Sequence, residues 1–335
     1  MAKNAFIVSV PASSANLGPG FDAIGLALDL RVRAIVQPAM HFSVSFKAGA
    51  YVPTNAGFEN EIVRGMERVL GPTRPDVSVL VENAIPLGKG LGASAAGAVL
   101  GLTIGAELAA HRPPESELAR HAAELEGHPD NALPALFGGV VIAAMPEGQE
   151  PAYLRFEPPA GLSAVVVTPR IVLPTAAARA LLPASYERKD VVYNLQRAAL
   201  LAASLASGDL SVLRIATGDR VHQPYRAPLV PGFDEMLGFE LPGLLAIALS
   251  GAGPSVIALV TGESEAIGRA MQAAFAREAI DSDVFHLGIA TRGATVEALP
   301  GTAKTAAPRG APAGPKRGAR TPGQGDSATI SNGGS

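Results

Sequence analysis

The 335-residue chain contains no cysteine and no tryptophan. Without thiols it can build no disulfide, thiolate zinc site, iron–sulfur cluster or cysteine nucleophile, so its chemistry must come from oxygen, nitrogen and backbone groups. Aromatics are scarce at 5%, and charged residues make up 17% against 48% hydrophobic, a share ample for a packed core. A secretory signal is missing as well: the first apolar run covers only residues 5–10 and stops at Pro11, which points to a cytoplasmic protein. Membrane-length apolar runs are also few. Residues 91–110 carry one charge, Glu107, but are built of Gly, Ala, Ser and Thr, which suits a helix buried against a sheet better than one facing lipid. Residues 244–260 carry none, and Gly251-Ala252-Gly253-Pro254 cuts them into strand, turn and strand.

An excess of positive charge is likewise lacking. Five of the 27 basic residues (Lys304, Arg309, Lys316, Arg317, Arg320) fall in residues 301–335, against Asp326 alone. The first 300 residues therefore hold 22 basic and 29 acidic side chains and offer no electrostatic footprint for nucleic acid. The basic segment 301–335 has 12 Gly and Pro, no aromatic residue and no apolar period, and reads as a disordered, solvated tail. Removing residues 302–335 should leave activity and thermal midpoint nearly unchanged, which a side-by-side assay and melting scan of the two chains would check.

Strand patterns fall at 5–10, 30–36, 42–46, 77–82, 139–143, 164–168, 244–249, 255–260 and 284–290. Helical periods fall at 59–70, 93–110, 115–126, 175–182, 191–206 and 264–279. Strands come in pairs before helices, which argues for an α+β fold over a doubly wound parallel sheet. Length suggests two lobes, 1–160 and 161–300, with the seam at Pro158-Pro159-Ala160-Gly161.

The most informative run is Pro86-Leu87-Gly88-Lys89-Gly90-Leu91-Gly92-Ala93-Ser94-Ala95-Ala96, which follows a strand and opens a long helix. Its glycines bring backbone N–H groups close to an anion, and the helix N-terminus adds further donors and a positive dipole end, so a polyphosphate suits it. Lys89 adds a mobile cation, and Ser94 a hydroxyl for phosphate or metal. The plainer alternative is a glycine turn that only packs a small-residue helix. Gly90-x-Gly92-x-x-Ala95 matches a relaxed dinucleotide fingerprint, but behind an extra turn and far from the first strand; a P-loop run is absent.

This run resembles the ATP loop of the GHMP kinases. Pro11-Ala12-Ser13-Ser14-Ala15-Asn16-Leu17-Gly18-Pro19-Gly20-Phe21-Asp22 resembles the first motif of the homoserine kinase branch in particular. Gly127-His128-Pro129-Asp130-Asn131, Phe137-Gly138-Gly139 and Ser250-Gly251-Ala252-Gly253-Pro254-Ser255 follow in the family's order, so the resemblance spans roughly residues 5–295. One departure is Ala93-Ser94 where the family commonly has Ser-Ser; the second position, the one that meets magnesium in the superfamily, is kept.

The resemblance implies the two-lobed GHMP kinase fold, with an N-terminal lobe like ribosomal protein S5 domain 2 and a ferredoxin-like C-terminal lobe. It implies an ATP- and Mg²⁺-dependent kinase of L-homoserine, with a homodimer as the assembly and no nucleic-acid or membrane partner. ATP would lie along Pro86 to Ala96, with Asn60 at the adenine. Ser94 and a glutamate, Glu126 in preference to Glu124, would hold Mg²⁺. Asp130 and Asn131 would stand at the accepting hydroxyl, although by sequence alone they read as turn or capping residues. Arg179 and Arg226 would take the substrate carboxylate, and Asn16 and Asp22 its ammonium. His128 reads as a structural turn residue with no acid partner. Asp130 accordingly reads as a positioning group, with a loss of about tenfold to a hundredfold expected for Asp130→Asn. Rival readings are a mevalonate-type GHMP kinase, a non-catalytic ligand-binding relative and a Rossmann oxidoreductase.

Overall fold

The computed structural model describes residues 4–49, 51–53, 57–147, 149–173 and 175–299, so the tail reading at 301–335 lies outside the described residues. In chain order the elements are β1 (Phe6–Asn16), β2 (Gly20–Pro38), β3 (Ser43–Phe46), α1 (Gly57–Leu70), β4 (Val77–Asn83), α2 (Ala93–Leu108), α3 (Glu115–Glu126), α4 (Pro129–Phe137), β5 (Val140–Ala144), β6 (Ala152–Phe156) and β7 (Leu162–Pro169). There follow α5 (Thr175–Ala180), α6 (Arg188–Ser207), α7 (Leu213–Ala216), α8 (Gln223–Arg226), α9 (Phe233–Leu237), β8 (Leu244–Leu249), β9 (Val256–Thr261), α10 (Glu265–Arg277), β10 (Ser282–Gly288) and β11 (Thr295–Ala298). Among the described residues the arrangement is α+β with two sheets, one of seven strands and one of four.

The long strand β2 organises the first sheet. It pairs with β1 along its length, with β4 through Val32–Pro38 and with β5 through Ile24–Leu26, and β6 extends β5. Register shifts at Pro11/Ala12 and Ala15/Asn16 let β1 and β2 bend as one ribbon. The second sheet runs β10-β7-β9-β8, antiparallel throughout. β7 and β9 and the second half of β8 are buried on both faces, which explains their apolar runs, whereas the edge strand β10 is half-exposed. Val165, Val167, Ile247, Leu249, Val256 and Ala258 pack with Phe233, Met271 and Phe275 of α9 and α10, whereas Ala164, Val166, Ala246, Ala248, Ile257 and Leu259 join the core of the first sheet.

Strands β1–β6 precede Pro158–Gly161 and β7–β10 follow it, but β11 returns to pair with β1, so residues 161–300 do not stay within the second sheet. The helix expected at 93–110 ends at Leu108 and is buried from Ala95 to Ala106, as its composition indicates, with Ser94 and Glu107 exposed at its ends; its tightest neighbour is α1 and not a sheet. A Cβ at Gly101 would sit 1.9 Å from the Ile62 carbonyl oxygen, so only glycine permits this crossing. Helix α4 replaces the turn expected at Pro129–Asn131. Among the described residues, no helix is long and apolar enough to cross a membrane.

Candidate active site

Four chain segments meet at one cavity where the two sheets join: the β1–β2 loop, the loop into α2, the start of α4 and the turn 250–255, with α5 and α8 as its far wall. Its lining includes Asn16, Phe21, Asp22, Gly88 to Gly90, Gly92 to Ser94, Glu126, His128, Asp130, Asn131, Arg179 and Arg226.

The β1–β2 loop is held in a conformation that costs energy. Asn16, Leu17 and Asp22 have φ of 70°, 47° and 56°, a region L-residues enter only when their surroundings fix it. Asn16 supplies the fixation: its amide donates to the Gly251 carbonyl at 2.8 Å and its oxygen accepts from the Asp22 N–H at 3.0 Å. Asn16 was expected at a substrate ammonium. It lines the cavity, but its side chain is occupied in joining the loop to the turn at 251.

The glycine loop is stitched down on both sides. Ser13 N–H donates to the Leu91 carbonyl, the Ser250 hydroxyl to the Gly90 carbonyl at 2.7 Å, and Ser255 N–H to the Lys89 carbonyl. Gly92 precedes α2 with φ 63°, and a Cβ there would lie 2.0 Å from the Ser13 hydroxyl. No side chain caps α2, which leaves its first-turn N–H groups available to an anion. Lys89 departs from the expected mobile cation: its ammonium donates to the carbonyls of Pro169, at 2.9 Å, and Ile171, tying the loop to the end of β7. Burial pushes its pKa down. Pro86, Leu91, Ala95 and Ala96 are buried outside the lining, Leu87 is half-buried, and Asn60 sits on the exposed face of α1, also outside the lining.

Glutamate 126 closes α3, and Ser94 stands in the first turn of α2. The Ser94 hydroxyl donates to Glu126 Oε1 at 2.9 Å, so two hard oxygens 32 residues apart converge at the glycine loop. Glu124 faces elsewhere, paired with Arg68 and Arg120. Burial raises the Glu126 pKa, against the hydrogen bond from Ser94. This donor set fits Mg²⁺, which takes few protein oxygens and keeps water.

The reading of His128 as unpaired is overturned. Its Nδ1 lies 2.6 Å from Oδ1 of Asp130, which is 1% exposed in the first turn of α4. Burial raises the Asp130 pKa, opposed by the His128 hydrogen bond. Burial works against a charge on His128, yet the bond to Asp130 and its charge hold that pKa above the ordinary value. Asp22 completes a cluster whose ligand-type atoms lie within 4.8 Å of one another. Asn131 accepts from the Ser13 hydroxyl at 2.9 Å.

The far wall carries the two arginines, each with its guanidinium near the Phe21 ring, 5.5 Å for Arg179 and 5.4 Å for Arg226. They differ in partners. Arg179 is half-exposed and grips Asp22 through both terminal nitrogens, at 3.0 and 2.8 Å. Arg226 is 1% exposed and, among the described residues, has no carboxylate within 4.0 Å. Its contacts are His222 Nδ1 at 3.1 Å and the carbonyls of Ala178 and Gly251 at 3.4 and 3.5 Å. His222 meets the Gly18 carbonyl through Nε2 at 2.7 Å, which places the proton on Nε2 and leaves Nδ1 to accept from Arg226. Burial pushes the His222 pKa down, consistent with a neutral ring. Asp219 fixes this segment by accepting from the N–H groups of Val221, His222 and Gln223 and from the Asn194 amide. Sequence reasoning missed His222 and Asp219; the only signal was their closeness to Arg226 in the chain.

A glycine loop at an uncapped helix, paired hard oxygens and a buried unpaired cation in one cavity between two sheets define a small-molecule kinase. The family pattern for the GHMP kinases N terminal domain matches residues 60–139, and that for GHMP kinases C terminal matches residues 198–277. The chain is 40% identical over 291 residues to the homoserine kinase of Solibacter usitatus, covering 86% of this chain and 96% of that protein. To the homoserine kinase of Deinococcus radiodurans it is 44% identical over 257 residues, covering 75% and 83%. The crystal structure of homoserine kinase from Cytophaga hutchinsonii superposes with a TM-score of 0.76 at 28% identity, covering 88% of this chain and 98% of that one. The chain belongs to the homoserine kinase family of the GHMP kinases and has their two-lobed fold.

Proposed function

We propose that this ATP-dependent phosphotransferase moves the γ-phosphoryl group of ATP to the side-chain hydroxyl of L-homoserine in threonine biosynthesis, in the cytoplasm. The observation that carries the substrate assignment is Arg226, a buried guanidinium without a carboxylate, since a cation in that state calls for an anionic ligand. An amino acid carries both charges of the adjacent Arg179–Asp22 pair, so its ammonium can take Asp22 while its carboxylate bridges the arginines. Mevalonate has a carboxylate but no ammonium for Asp22, and galactose has neither.

On the other side, the first-turn N–H groups of α2 and the glycine loop hold the triphosphate, and Ser94 with Glu126 would hold Mg²⁺, which supplies charge neutralisation at the phosphate oxygens. On this reading the homoserine hydroxyl sits beside Asp130, which lines the same cavity as the glycine loop, and attacks the γ-phosphorus in line. Such chemistry depends mainly on positioning and electrostatics. ATP consumption measured with L-homoserine, mevalonate and galactose tests the reading: turnover with homoserine alone is expected, and no turnover with homoserine would reject it. Ser94→Ala should raise the Mg²⁺ concentration needed for half-maximal rate and lower turnover without altering the fold, because it removes one exposed hydroxyl and no core volume. An unchanged magnesium titration would take Ser94 out of the metal site.

A further inference from the structure

His222 precedes α8 and Arg226 ends it, four positions apart, the spacing that brings side chains together across one helical turn. The His222 ring is 0% exposed and every edge of it is engaged. Nδ1 accepts from Nη1 of Arg226 at 3.1 Å, Nε2 donates to the Gly18 carbonyl at 2.7 Å, and the ring face stacks on Phe21 with centroids 5.2 Å apart. Asp219 Oδ2 stands 3.6 Å from the same Nε2, a second acceptor favouring a proton there. The contact with Gly18 is not adjustable: a Cβ at Gly18 would lie 2.1 Å from the Thr217 carbonyl oxygen, so the β1–β2 loop is pressed against the chain that carries His222.

On the guanidinium, Nε is spent on the Ala178 carbonyl, and Nη1 on His222 and, at 3.5 Å, the Gly251 carbonyl. Among the described residues Nη2 has no hydrogen-bond partner, His222 is the only side chain bonded to Arg226, and Arg226 lines the cavity. We propose that His222 is a positioning residue for the amino-acid substrate: a neutral ring protonated at Nε2, it accepts from Nη1 and so fixes the fork of Arg226 with Nη2 left for the substrate carboxylate. The choice of an imidazole has a physical reason. A carboxylate in its place would orient the fork but neutralise the charge that the ligand needs, and a donor would be repelled. A neutral acceptor orients the cation and leaves its charge unspent. Because the guanidinium is planar and rigid, holding one terminal nitrogen sets the direction of the other.

The proposal rests on the assignment of Arg226 to the homoserine carboxylate, and the test separates the two. His222→Gln keeps an amide donor for Gly18 and loses the acceptor at Nδ1. It should raise the homoserine KM by about threefold to tenfold, the worth of one hydrogen bond, and leave the ATP KM within about twofold. His222→Asn, whose amide oxygen stands where Nδ1 was, should raise it less. In an Arg226→Met background, His222→Gln should change the homoserine KM by less than about twofold, since a residue acting through Arg226 has nothing left to orient. Nitrogen-15 NMR of the histidine rings reads the same role with His222 in place: a neutral ring protonated at Nε2 at pH 7, whose Nδ1 resonance moves to the free-acceptor position in Arg226→Met. An unchanged homoserine KM in Arg226→Met would reject both the carboxylate assignment and the role of His222. With that KM raised, the role of His222 alone is overturned by a silent His222→Gln, by an asparagine variant worse than the glutamine one, by effects of the two substitutions that simply multiply, or by a ring that is cationic or protonated at Nδ1.

Discussion

Replacing Arg226 with methionine should raise the homoserine KM by about tenfold to a hundredfold, leave the ATP KM within about twofold, and leave the thermal midpoint unchanged or higher. The argument turns on what the guanidinium now touches. A charge-assisted bond to a desolvated carboxylate is worth roughly 1.5–3 kcal/mol, which sets the size of the KM effect. Among the described residues this cation has no carboxylate within ion-pair distance, one good hydrogen bond to His222 at 3.1 Å and two long ones to carbonyls. Burial and the neighbouring Arg179 lower its pKa, the direction expected of a charge kept at a cost. Swapping an uncompensated buried charge for an apolar side chain of similar length is commonly neutral or stabilising. Function and stability should therefore part company at this position, as they do where a site is held ready for a ligand. Arg179→Ala should raise the same KM less, because Arg179 is half in solvent and already satisfied by Asp22. Initial rates against each substrate and a melting scan decide the matter. A lower midpoint with both KM values raised alike would make Arg226 a structural residue.

What the sequence revealed of this arrangement follows a physical division. The amphipathic helix at 115–126 and the all-apolar one beginning at 93 announce themselves through period and composition, and α3 and α2 start at those residues. The glycine loop was legible because positive φ at positions 88, 90 and 92 demands glycine locally. Short α4 was not legible: Pro129 opens it, Pro134 interrupts its period, and nine residues give too little pattern to outweigh two prolines. Strand β2 was recognised only from residue 30, since Gly20, Asp22, Gly25 and Asp29 break the alternation over its first half. Edge strands β6 and β11 are short and half-exposed and leave little signal.

Within the site, the same division holds. The convergence of Ser94 and Glu126 was inferred through resemblance, because nothing local joins residues 32 apart. The His128–Asp130 contact escaped notice because residues two apart do not face each other on a helix. They meet here because His128 is the extended residue before α4, with φ −156° and ψ 148°, and its ring folds back onto the first turn.

That contact changes what Asp130→Asn should do. Without a partner for the carboxylate, a positioning role and a loss of about tenfold to a hundredfold followed, since a loose phosphoryl-transfer transition state needs little prior deprotonation of the nucleophile. A buried carboxyl whose pKa is raised, hydrogen-bonded to a histidine whose pKa is raised as well, is better suited to accepting a proton near neutral pH than an ordinary aspartate. The two titrate as a pair, so a proton taken from the substrate hydroxyl need not rest on Asp130 alone. Asp130→Asn is therefore expected to lower kcat by about 10²–10⁴-fold with the ATP KM unaffected. The sign of the pH dependence follows from the same shift. As pH falls through the raised pKa of the pair, the carboxyl protonates and can no longer accept, so wild-type kcat should fall on the acid side above the usual carboxylate range. The asparagine variant has no such group and should lack that limb. Measuring kcat against pH for both proteins separates the mechanisms: a loss below about tenfold with the acid limb retained would return Asp130 to positioning the hydroxyl through a hydrogen bond that asparagine can also accept.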